Sequence, residues 1–442
     1  LEYKVDEAGN VLIKKNATPG MENRKTVILQ SHIDMVCEKN NDTIHDFEND
    51  PIQTYIDGEW LKAKGTTLGA DNGIGVATQL AVLASDDLQH GPVECLFTVD
   101  EETGLTGAFA LKEGFMNGDI LLNLDSEDEG ELFIGCAGGA GTTAQFPCPM
   151  VKSPEGYFFF RVTVKGLTGG HSGDDINKKR ANANKVLNRY LMLLSQKYDL
   201  YIAEIDGGNL HNAIPREAHA VCAVPMKDKE SVRVDLNIFL ADVENEFSVT
   251  EPNIRMDLES ETALPEVIEK SAMTKFLNSI HAVHNGVFAM SQDMEGLVET
   301  SSNLASIKIR DGQIVVVTSQ RSSILSSRMD MSQTVRSAFE LGGATVTTGD
   351  GYPGWKPNPS SEILKVAVDS YKALFGTEPK VKAIHAGLEC GLFLEKYPSL
   401  DMVSFGPTLR GVHSPDERML IPTVDKFWRH LLDVLKNIPA KA

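Results

Sequence analysis

The chain has 442 residues, of which 42% are hydrophobic and 24% charged, a composition typical of a soluble globular protein with more than one domain. Its formal net charge of -20 argues against nucleic acid as a partner, because the chain and a phosphate backbone would repel each other. No apolar run reaches the length of a transmembrane helix, so no membrane partner is expected.

The first third of the chain alternates strand patterns with a helix pattern. Apolar, partly β-branched runs at 26–36, 93–99 and 119–125 predict short strands. Between the first two runs, a glycine-rich loop within 67–85 leads into an amphipathic helix pattern. This alternation predicts an α/β fold with a mostly parallel sheet that helices cover on both faces.

The pattern changes from about Gly139, with a predicted strand at 156–167, a predicted helix at 181–196 and further short strands and helices after them. The α/β pattern returns near the end of the chain and closes with an amphipathic helix. We therefore expect a split catalytic domain, with a first part at 1–138 and a second part at 354–442. A large α+β domain at 139–353 is expected to be inserted between them.

Histidine, aspartate and glutamate residues follow several of these predicted strands and loops. The residues are His32, Asp34, Asp71, Glu101, Glu102, Asp125 and His413. The carboxyl ends of strands form the ligand crevice of an open α/β sheet. Imidazole and carboxylate groups together suit zinc or a similar divalent ion, and a shared carboxylate holds two ions about 3.5–4 Å apart. The pattern therefore predicts a two-metal hydrolase.

Two of these stretches have simpler interpretations. The loop "GADNGIG" contains several glycines, but their order differs from that of a dinucleotide-binding loop and no clear strand precedes it, which disfavours a nucleotide-binding protein. The acidic run "DSEDEGE" is typical of a solvated surface, and only its first residue, Asp125, is a candidate ligand.

A series of short motifs occurs in one order along nearly the whole chain. They are "SHIDMV", "TTLGADNGIG", "DEETG", "NLDSEDEGE", "GCAGG", "GGHSG", "HNAIP", "IHAGLECG" and "GVHSPDERM". Together they resemble the aminoacyl-histidine dipeptidases, also called peptidase D or cytosolic non-specific dipeptidases, of the two-zinc metallopeptidase and aminoacylase group. The resemblance implies a cytoplasmic metallodipeptidase that hydrolyses dipeptides, including Xaa-His (carnosine-type) substrates. It also implies a further N-terminal segment before Leu1.

The resemblance assigns the ligands of two zinc ions, for which Co²⁺ or Mn²⁺ are alternatives. The implied ligand sets are His32, Asp71 and Asp125 for one ion, and Asp71, Glu102 and His413 for the other. Asp71 would bridge the ions, beside a cis peptide bond to Asn72. Asp34 would orient the His32 imidazole, and Glu101 would be the general base that deprotonates the attacking water.

The adjacent glutamates raise a geometric question, since neighbouring side chains in a regular strand point to opposite faces. Glu101 and Glu102 are expected to share one site because the strand gives way to a turn at Thr103-Gly104. The presence of Glu101 disfavours a catalytically inactive, metal-binding relative. An N-acyl amino acid deacylase with the same two metals remains the alternative enzyme.

The inserted domain resembles the lid of this family. By that resemblance His171 would stabilise the oxyanion of the tetrahedral intermediate, with Asn212 as its helper. Gly387 and Glu389 would line the amino end of the substrate.

An arginine of the lid is expected to bind the free carboxylate of the dipeptide, because its planar guanidinium matches a carboxylate. Arg321 is the first candidate and Arg328 is its rival, while a surface charge is the alternative interpretation of either residue. Dimerisation through the lid is common in the family, so a homodimer is one expected form.

The cysteine content indicates the cellular compartment. The chain has 6 cysteines and no C-x-x-C pair. This pattern disfavours a disulfide framework or a thiolate zinc site and favours a reducing compartment, the cytoplasm.

Overall fold

The computed structural model describes residues 1–441, which divide into two compact units. The first unit comprises Leu1–Cys136, Trp355–Ile384 and the described chain from Leu388 onward. The second unit comprises Ala137–Gly354 together with the short segment His385–Gly387. No helix within residues 1–441 is both long enough and apolar enough to cross a membrane.

Strands and helices alternate in the first unit, and long strands dominate the second. Within residues 1–441 the strands are β1 (Glu2–Val5), β2 (Val11–Lys15), β3 (Val27–His32), β4 (Thr54–Asp57), β5 (Trp60–Ala63), β6 (Val93–Thr98), β7 (Ile120–Asn123), β8 (Glu131–Cys136), β9 (Gly138–Pro147), β10 (Met150–Lys152), β11 (Tyr157–Lys165), β12 (Gly170–His171), β13 (Tyr201–Gly207), β14 (Ala213–Ile214), β15 (Ala218–Pro225), β16 (Arg255–Ser260), β17 (Glu266–Ile268), β18 (Gly286–Met290), β19 (Val298–Arg310), β20 (Gln313–Ser322), β21 (Thr345–Thr348), β22 (Lys380–Ile384), β23 (Asp401–Ser404), β24 (Leu409–Arg410) and β25 (Arg418–Leu420). The α-helices of the same residues are α1 (Ala70–Ala84), α2 (Glu101–Gly104), α3 (Thr106–Ala110), α4 (Ala183–Lys197), α5 (Lys229–Glu246), α6 (Lys270–Ala282), α7 (Leu325–Leu341), α8 (Glu362–Phe375), α9 (Cys390–Lys396) and α10 (Ile421–Lys436).

The first unit is built on an eight-stranded sheet with the order β1-β2-β6-β3-β7-β23-β8-β22. The pairs β6-β3, β3-β7 and β7-β23 are parallel, and so is the pair β8-β22. Every residue of β3, β6 and β7 is buried, and most of these residues are apolar. The predicted α/β class is confirmed, with antiparallel pairs at β1-β2, β2-β6 and β23-β8.

The second unit is built on an antiparallel sheet with the order β16-β11-β15-β13-β19-β20-β9-β21, and β18 also pairs with β19. Helices α4, α6 and α7 pack together and against this sheet. The ring of Phe146 contacts those of Phe276 and Phe339 edge to face, with ring centroids 5.5 and 5.8 Å apart. The aromatic contacts join one sheet strand to two helices in a single core.

Candidate metal centre and substrate-binding residues

The predicted metal ligands lie where neighbouring strands of the first unit end. His32 is the last residue of β3, Asp125 comes two residues after β7, and Glu101 and Glu102 open helix α2 after β6. Because β6, β3 and β7 are adjacent and parallel, their carboxyl ends lie at one edge of the sheet. Asp71 lies in the first turn of α1, which packs against β3.

Asp71 lies between two groups of possible ligands. Its Oδ1 is 3.0 Å from His32 Nε2, and its Oδ2 is 3.2 Å from His413 Nε2. Asp125 Oδ1 lies 3.3 Å from His32 Nε2, while Glu102 Oε2 lies 3.1 Å from His413 Nε2. One oxygen of Asp71 thus faces each group, which is the arrangement that a bridging carboxylate requires.

Three sets of residues bring ligand atoms within 4.8 Å of one another in the described chain. They are His32, Asp71 and Asp125; Asp71, Glu102 and His413; and His32, Glu101 and Glu102. The first two sets coincide with the predicted ligand sets. The third set places Glu101 close enough to bind an ion as well, so geometry alone leaves open whether Glu101 is a ligand or a base.

The chemistry of the cluster fits divalent cations. Glu102 Oε1 is a buried oxygen without a hydrogen-bond partner, which is costly unless a cation satisfies it. Asp125 Oδ1 is buried as well, with His32 Nε2 at 3.3 Å. Burial, together with the charges of Asp71 and Glu101, raises the pKa of Asp125 to about 7 although His32 opposes the shift. Hydrogen bonds to Asp71 and Glu102 raise the pKa of His413 to about 10. Divalent ions bound here would offset the charge of the clustered carboxylates.

Asp34 connects the histidine segment to the two glutamates. Its carboxylate accepts hydrogen bonds from the backbone N–H groups of Glu101 and Glu102, each at 3.1 Å. Burial alone raises the pKa of Asp34, but His32 and these two N–H groups lower it to about 2. The group nearest to His32 Nδ1 is the Asp34 carbonyl oxygen at 3.0 Å, and the carboxylate is at 3.5 Å. Both the backbone carbonyl and the carboxylate of Asp34 therefore lie near His32 Nδ1.

The sequence pattern predicts that a turn at Thr103-Gly104 brings the glutamates together, and this prediction is wrong. Strand β6 ends at Thr98, and Asp100 adopts a left-handed conformation with φ of 55°. Glu101 and Glu102 then occupy the first turn of helix α2. The chain leaves the strand before the glutamates, because the turn forms at Asp100.

Glu101 lies in surroundings that favour its protonated form. Burial is the main cause, and the carboxylates of Glu389, Glu102 and Asp71 act in the same direction while His32 opposes them. The pKa of Glu101 is raised to about 8 as a result. A carboxyl group with a pKa near neutrality can both accept and return a proton.

The segment that carries Asp71 contains a cis peptide bond between Asp71 and Asn72, as the resemblance predicts. The Asn72 side chain donates a hydrogen bond of 2.8 Å to the carbonyl of Leu124, the residue before Asp125. This bond connects the segments that hold two predicted ligands of the same ion.

Glu417 holds this segment from the other side and was not predicted as a site residue. Its carboxylate accepts four backbone N–H bonds from residues 68–71, at 2.7, 3.0, 2.8 and 3.3 Å. The residue is 2% exposed and comes four positions after His413. It lies in the motif "GVHSPDERM", so the only sequence signal is its presence beside a predicted ligand.

The acidic run "DSEDEGE" is not simply solvated, contrary to the expectation from its composition. Burial, with Asp71 and Asp125 acting in the same direction, raises the pKa of Glu127 to about 8. Glu129 accepts hydrogen bonds from Tyr371 and Lys426. The run thus contributes to the interior of the first unit, because later segments of the chain pack over it.

Glu389 differs from its expected place beside the amino end of the substrate. Its side chain is 1% exposed and accepts hydrogen bonds from Gln30 Nε2 at 2.6 Å and Thr98 Oγ1 at 2.8 Å. Burial raises its pKa to about 7. A carboxyl group enclosed between β3 and β6 supports the ends of those strands and does not present a surface to a ligand.

The second unit brings together three of the predicted site residues, Arg321, His171 and Gly387. Arg321 on β20 is 7% exposed, and its Nη2 lies 3.4 Å from His171 Nε2. Its Nη1 donates a hydrogen bond of 3.1 Å to Tyr352 Oη. Gly387 lies beside the same tyrosine, since a Cβ atom on it would be 2.8 Å from Tyr352 Cε2.

Arg321 has no acidic partner among residues 1–441, and its buried Nε has no hydrogen-bond partner. Arg328 is different, because its guanidinium donates to the backbone carbonyls of Gly139, Tyr352 and Asp350. Arg328 therefore holds the backbone of the second unit, whereas Arg321 contacts the side chains of Tyr352 and His171.

His171 and Asn212 lie on adjacent segments. Strand β12 pairs His171 with Ala213 of β14, and the N–H of Ser172 donates a hydrogen bond of 2.8 Å to the carbonyl of Asn212. His171 Nδ1 accepts a hydrogen bond from the backbone N–H of Asp174 at 3.3 Å. That bond places the Nε2 atom of His171 toward Arg321.

Known proteins resemble this chain over nearly its whole length. The model of the peptidase family M20/M25/M40 matches residues 28–437. The cytosol non-specific dipeptidase of Escherichia coli (strain K12) is 45% identical over 436 residues, which are 99% of this chain and 90% of that protein. The crystal structure of aminoacylhistidine dipeptidase from Vibrio alginolyticus has a TM-score of 0.93 and 48% identity, covering 100% of this chain and 90% of that one.

A more distant structure shares the fold alone. The aminopeptidase PepT from Bacillus cereus ATCC 10987 has a TM-score of 0.54 and 16% identity, over 99% of this chain and 88% of that chain. The family match and the two similar relatives extend well beyond the residues of any single motif. The chain therefore belongs to the peptidase family M20/M25/M40.

Proposed function

We propose that this metallodipeptidase uses two zinc ions to hydrolyse dipeptides, including Xaa-His substrates of the carnosine type. The main support is the position of Asp71 between two groups of possible ligands. Its Oδ1 lies 3.0 Å from His32 Nε2, and its Oδ2 lies 3.2 Å from His413 Nε2. His32 and Asp125 would complete one site, and Glu102 and His413 the other. Co²⁺ or Mn²⁺ could replace zinc, since imidazole and carboxylate ligands accept each of them.

Glu101 is the proposed general base. Bound divalent ions would supply the electrostatic activation of water and of the scissile carbonyl group. Glu101 would take a proton from the attacking water and return it to the leaving amine. Asp34 would support this step by holding the N–H groups of both glutamates.

Residues of the second unit are proposed to bind the substrate. Arg321 is the proposed partner of the free α-carboxylate, because it is a buried cation without an acidic partner in residues 1–441. His171, with Asn212 as its helper, is proposed to stabilise the negative charge that develops on the carbonyl oxygen. Gly387 is proposed to line the amino end of the substrate, as the resemblance implies.

We assign the catalytic role to 1–138 and 354–442, and the role of a lid to 139–353. A homodimer through the lid and a location in the cytoplasm are parts of the same proposal. The name of the relative from Escherichia coli, a cytosol dipeptidase, supports the location. The name of the relative from Vibrio alginolyticus supports the preference for Xaa-His.

Metal analysis and a substrate panel together test this function. The panel contains Ala-His, β-Ala-His, Ala-Ala and their N-acetylated forms, assayed with the protein after reconstitution with zinc. Two zinc ions per chain and hydrolysis of the free dipeptides alone are expected. Faster hydrolysis of N-acetyl amino acids would identify a deacylase, and a single bound ion would overturn the two-metal assignment.

A further inference from the structure

We propose that Tyr352 is a positioning residue that holds Arg321 for the α-carboxylate of the substrate without neutralising its charge; this rests on the proposed function. Tyr352 lies in the segment "GYPGWKP", outside the motifs that carry the family resemblance. Tyr352 and Arg321 both belong to the second unit, and together they would give the enzyme its specificity for substrates with a free carboxyl end.

The tyrosine ring lies against two glycines. A Cβ atom on Gly139 would be 2.7 Å from Tyr352 Oη and 2.9 Å from Cε1, and one on Gly387 would be 2.8 Å from Cε2. Carbon atoms that close would clash, so neither position accepts a side chain without moving the ring. The two glycines thus define the place of the phenol from both of its edges.

The backbone of this segment is also held firmly. Tyr352 and Gly139 exchange two backbone hydrogen bonds, of 2.9 and 3.1 Å. Arg328, which is 7% exposed, donates to the carbonyl oxygens of both residues and to that of Asp350. One arginine therefore fixes the segment that carries Tyr352, and the tyrosine in turn contacts the other arginine.

The phenol is a neutral partner for a buried cation. Tyr352 Oη accepts a hydrogen bond of 3.1 Å from Arg321 Nη1, which leaves its own O–H free to donate. An aspartate or glutamate at this place would pair with the guanidinium and compete with the carboxylate of a substrate. A tyrosine orients the guanidinium and leaves its full positive charge available to a ligand.

A second group beside Arg321 is neutral as well. Ser301 lies opposite Arg321 in the β19-β20 pair, and its hydroxyl bonds to His385 Nε2 at 2.8 Å. Burial, and then the charge of Arg321, lower the pKa of His385 to about 3, so its imidazole is uncharged near neutral pH. The guanidinium thus contacts the Tyr352 phenol and the His171 imidazole, and the uncharged His385 imidazole lies close enough for its pKa to respond to the arginine.

Steady-state kinetics with Ala-His and with its C-terminal amide test the inference. Removing the phenol oxygen in Tyr352→Phe should raise KM for Ala-His about tenfold, the value of one hydrogen bond to a charged group, and change kcat by less than about twofold. KM for the amide should not change, because the amide has no carboxylate to hold. Arg321→Met should produce the same pattern with a larger rise in KM.

Tyr190→Phe is the matched control, since Tyr190 Oη donates to the Val232 carbonyl at 2.8 Å in the core of the same unit. It should leave the ratio of the two KM values unchanged. If Arg321→Met loses the preference for the free carboxylate while Tyr352→Phe keeps it, the role of Tyr352 is overturned and the proposed function stands. Equal changes for both substrates in Tyr352→Phe would also overturn it, as they indicate a purely structural residue. A wild-type enzyme with no preference for the free carboxylate would overturn both the role of Tyr352 and the proposed role of Arg321, while the proposed metal centre would stand.

Discussion

Glu101 and Glu102 are chain neighbours whose side chains have different surroundings. Glu102 has one oxygen 3.1 Å from His413 Nε2 and a second buried oxygen without a hydrogen-bond partner, as expected for a metal ligand. Glu101 lies among the carboxylates of Glu389, Glu102 and Asp71, and its pKa is raised to about 8. The difference in surroundings supports a division of roles between metal binding and proton transfer.

Replacing Glu101 tests this division. Glu101→Ala should keep both metal equivalents while kcat falls about 10²–10⁴-fold, the usual contribution of a general base. Metal content and turnover are measured on the same zinc-loaded sample. Glu102→Ala is the control and should lose metal. Loss of a full equivalent from Glu101→Ala would mean that Glu101 is a ligand, as the third set of ligand atoms allows.

Replacing Asp71, the proposed bridging residue, should affect both ions together. Asp71→Asn substitutes a neutral amide, which bridges two cations poorly, so we expect the loss of both equivalents from one substitution. Equilibrium dialysis against zinc, followed by metal analysis, measures the stoichiometry. Asp125→Asn should weaken one equivalent only. Retention of one tightly bound ion by Asp71→Asn would show that another residue forms the bridge.

The two arginines of the second unit should respond differently to the same substitution. Arg328→Met leaves three backbone carbonyl oxygens without a charged donor, so the free energy of unfolding should fall by about 2–5 kcal/mol. Arg321→Met removes a cation that has no acidic partner in residues 1–441, and it should raise KM for free dipeptides with little loss of stability. Urea unfolding and kinetics of both variants measure the two effects. A large loss of stability in Arg321→Met with equal loss of activity on amides would reverse the assignment.

At the scale of elements, the start of helix α1 depends on a residue from far along the chain. The four N–H groups of residues 68–71 point to one carboxylate, that of Glu417, at distances of 2.7 to 3.3 Å. Glu417 follows His413 by four positions, so one side chain connects the segments of two predicted ligands. A carboxylate accepts several such bonds, whereas an amide offers one acceptor oxygen and two N–H donors.

Glu417→Gln should therefore weaken metal binding. We expect the Kd for zinc to rise by about tenfold or more, because the amide NH₂ group opposes the N–H groups that it faces. A competition titration with a chelating dye measures this Kd without any assay of activity. Glu251→Gln is the matched control, since Glu251 is 1% exposed and accepts backbone N–H bonds from Thr168 and Ala181 at 2.7 and 2.9 Å. It should lower stability but leave the Kd for zinc unchanged. Equal Kd values for Glu417→Gln and wild type would show that Glu417 does not position Asp71.

At the scale of the whole molecule, all predicted metal ligands belong to the first of the two units. The ions should therefore stabilise that unit against unfolding. At a free zinc concentration of about 100 times Kd, the linkage between binding and folding contributes about 2.7 kcal/mol. Differential scanning calorimetry should show a lower Tm after EDTA treatment and its recovery when zinc is restored. Identical Tm values with and without chelator would contradict folded-state metal binding at this site.

Much of the first unit could be predicted from the sequence alone. The apolar runs before His32 and Asp125 determine two buried parallel strands, and side chains that follow such strands come together at one edge of the sheet. The chemical types of these side chains are sufficient to predict a metal centre. The order of motifs along the chain is likewise sufficient to predict the family, which the comparisons confirm.

Other features are decided only by the tertiary structure. Glu417 binds residues 68–71 across almost 350 positions of sequence, and Glu389 enters the first unit between β3 and β6. Arg321 and Arg328 carry the same charge seven positions apart, yet one lacks an acidic partner in the described chain and the other is held by three carbonyl oxygens. Local patterns determine which segments are buried, because burial follows from the hydrophobicity of neighbouring residues. They do not determine the partner of a buried polar group, because that partner comes from whichever distant segment packs against it.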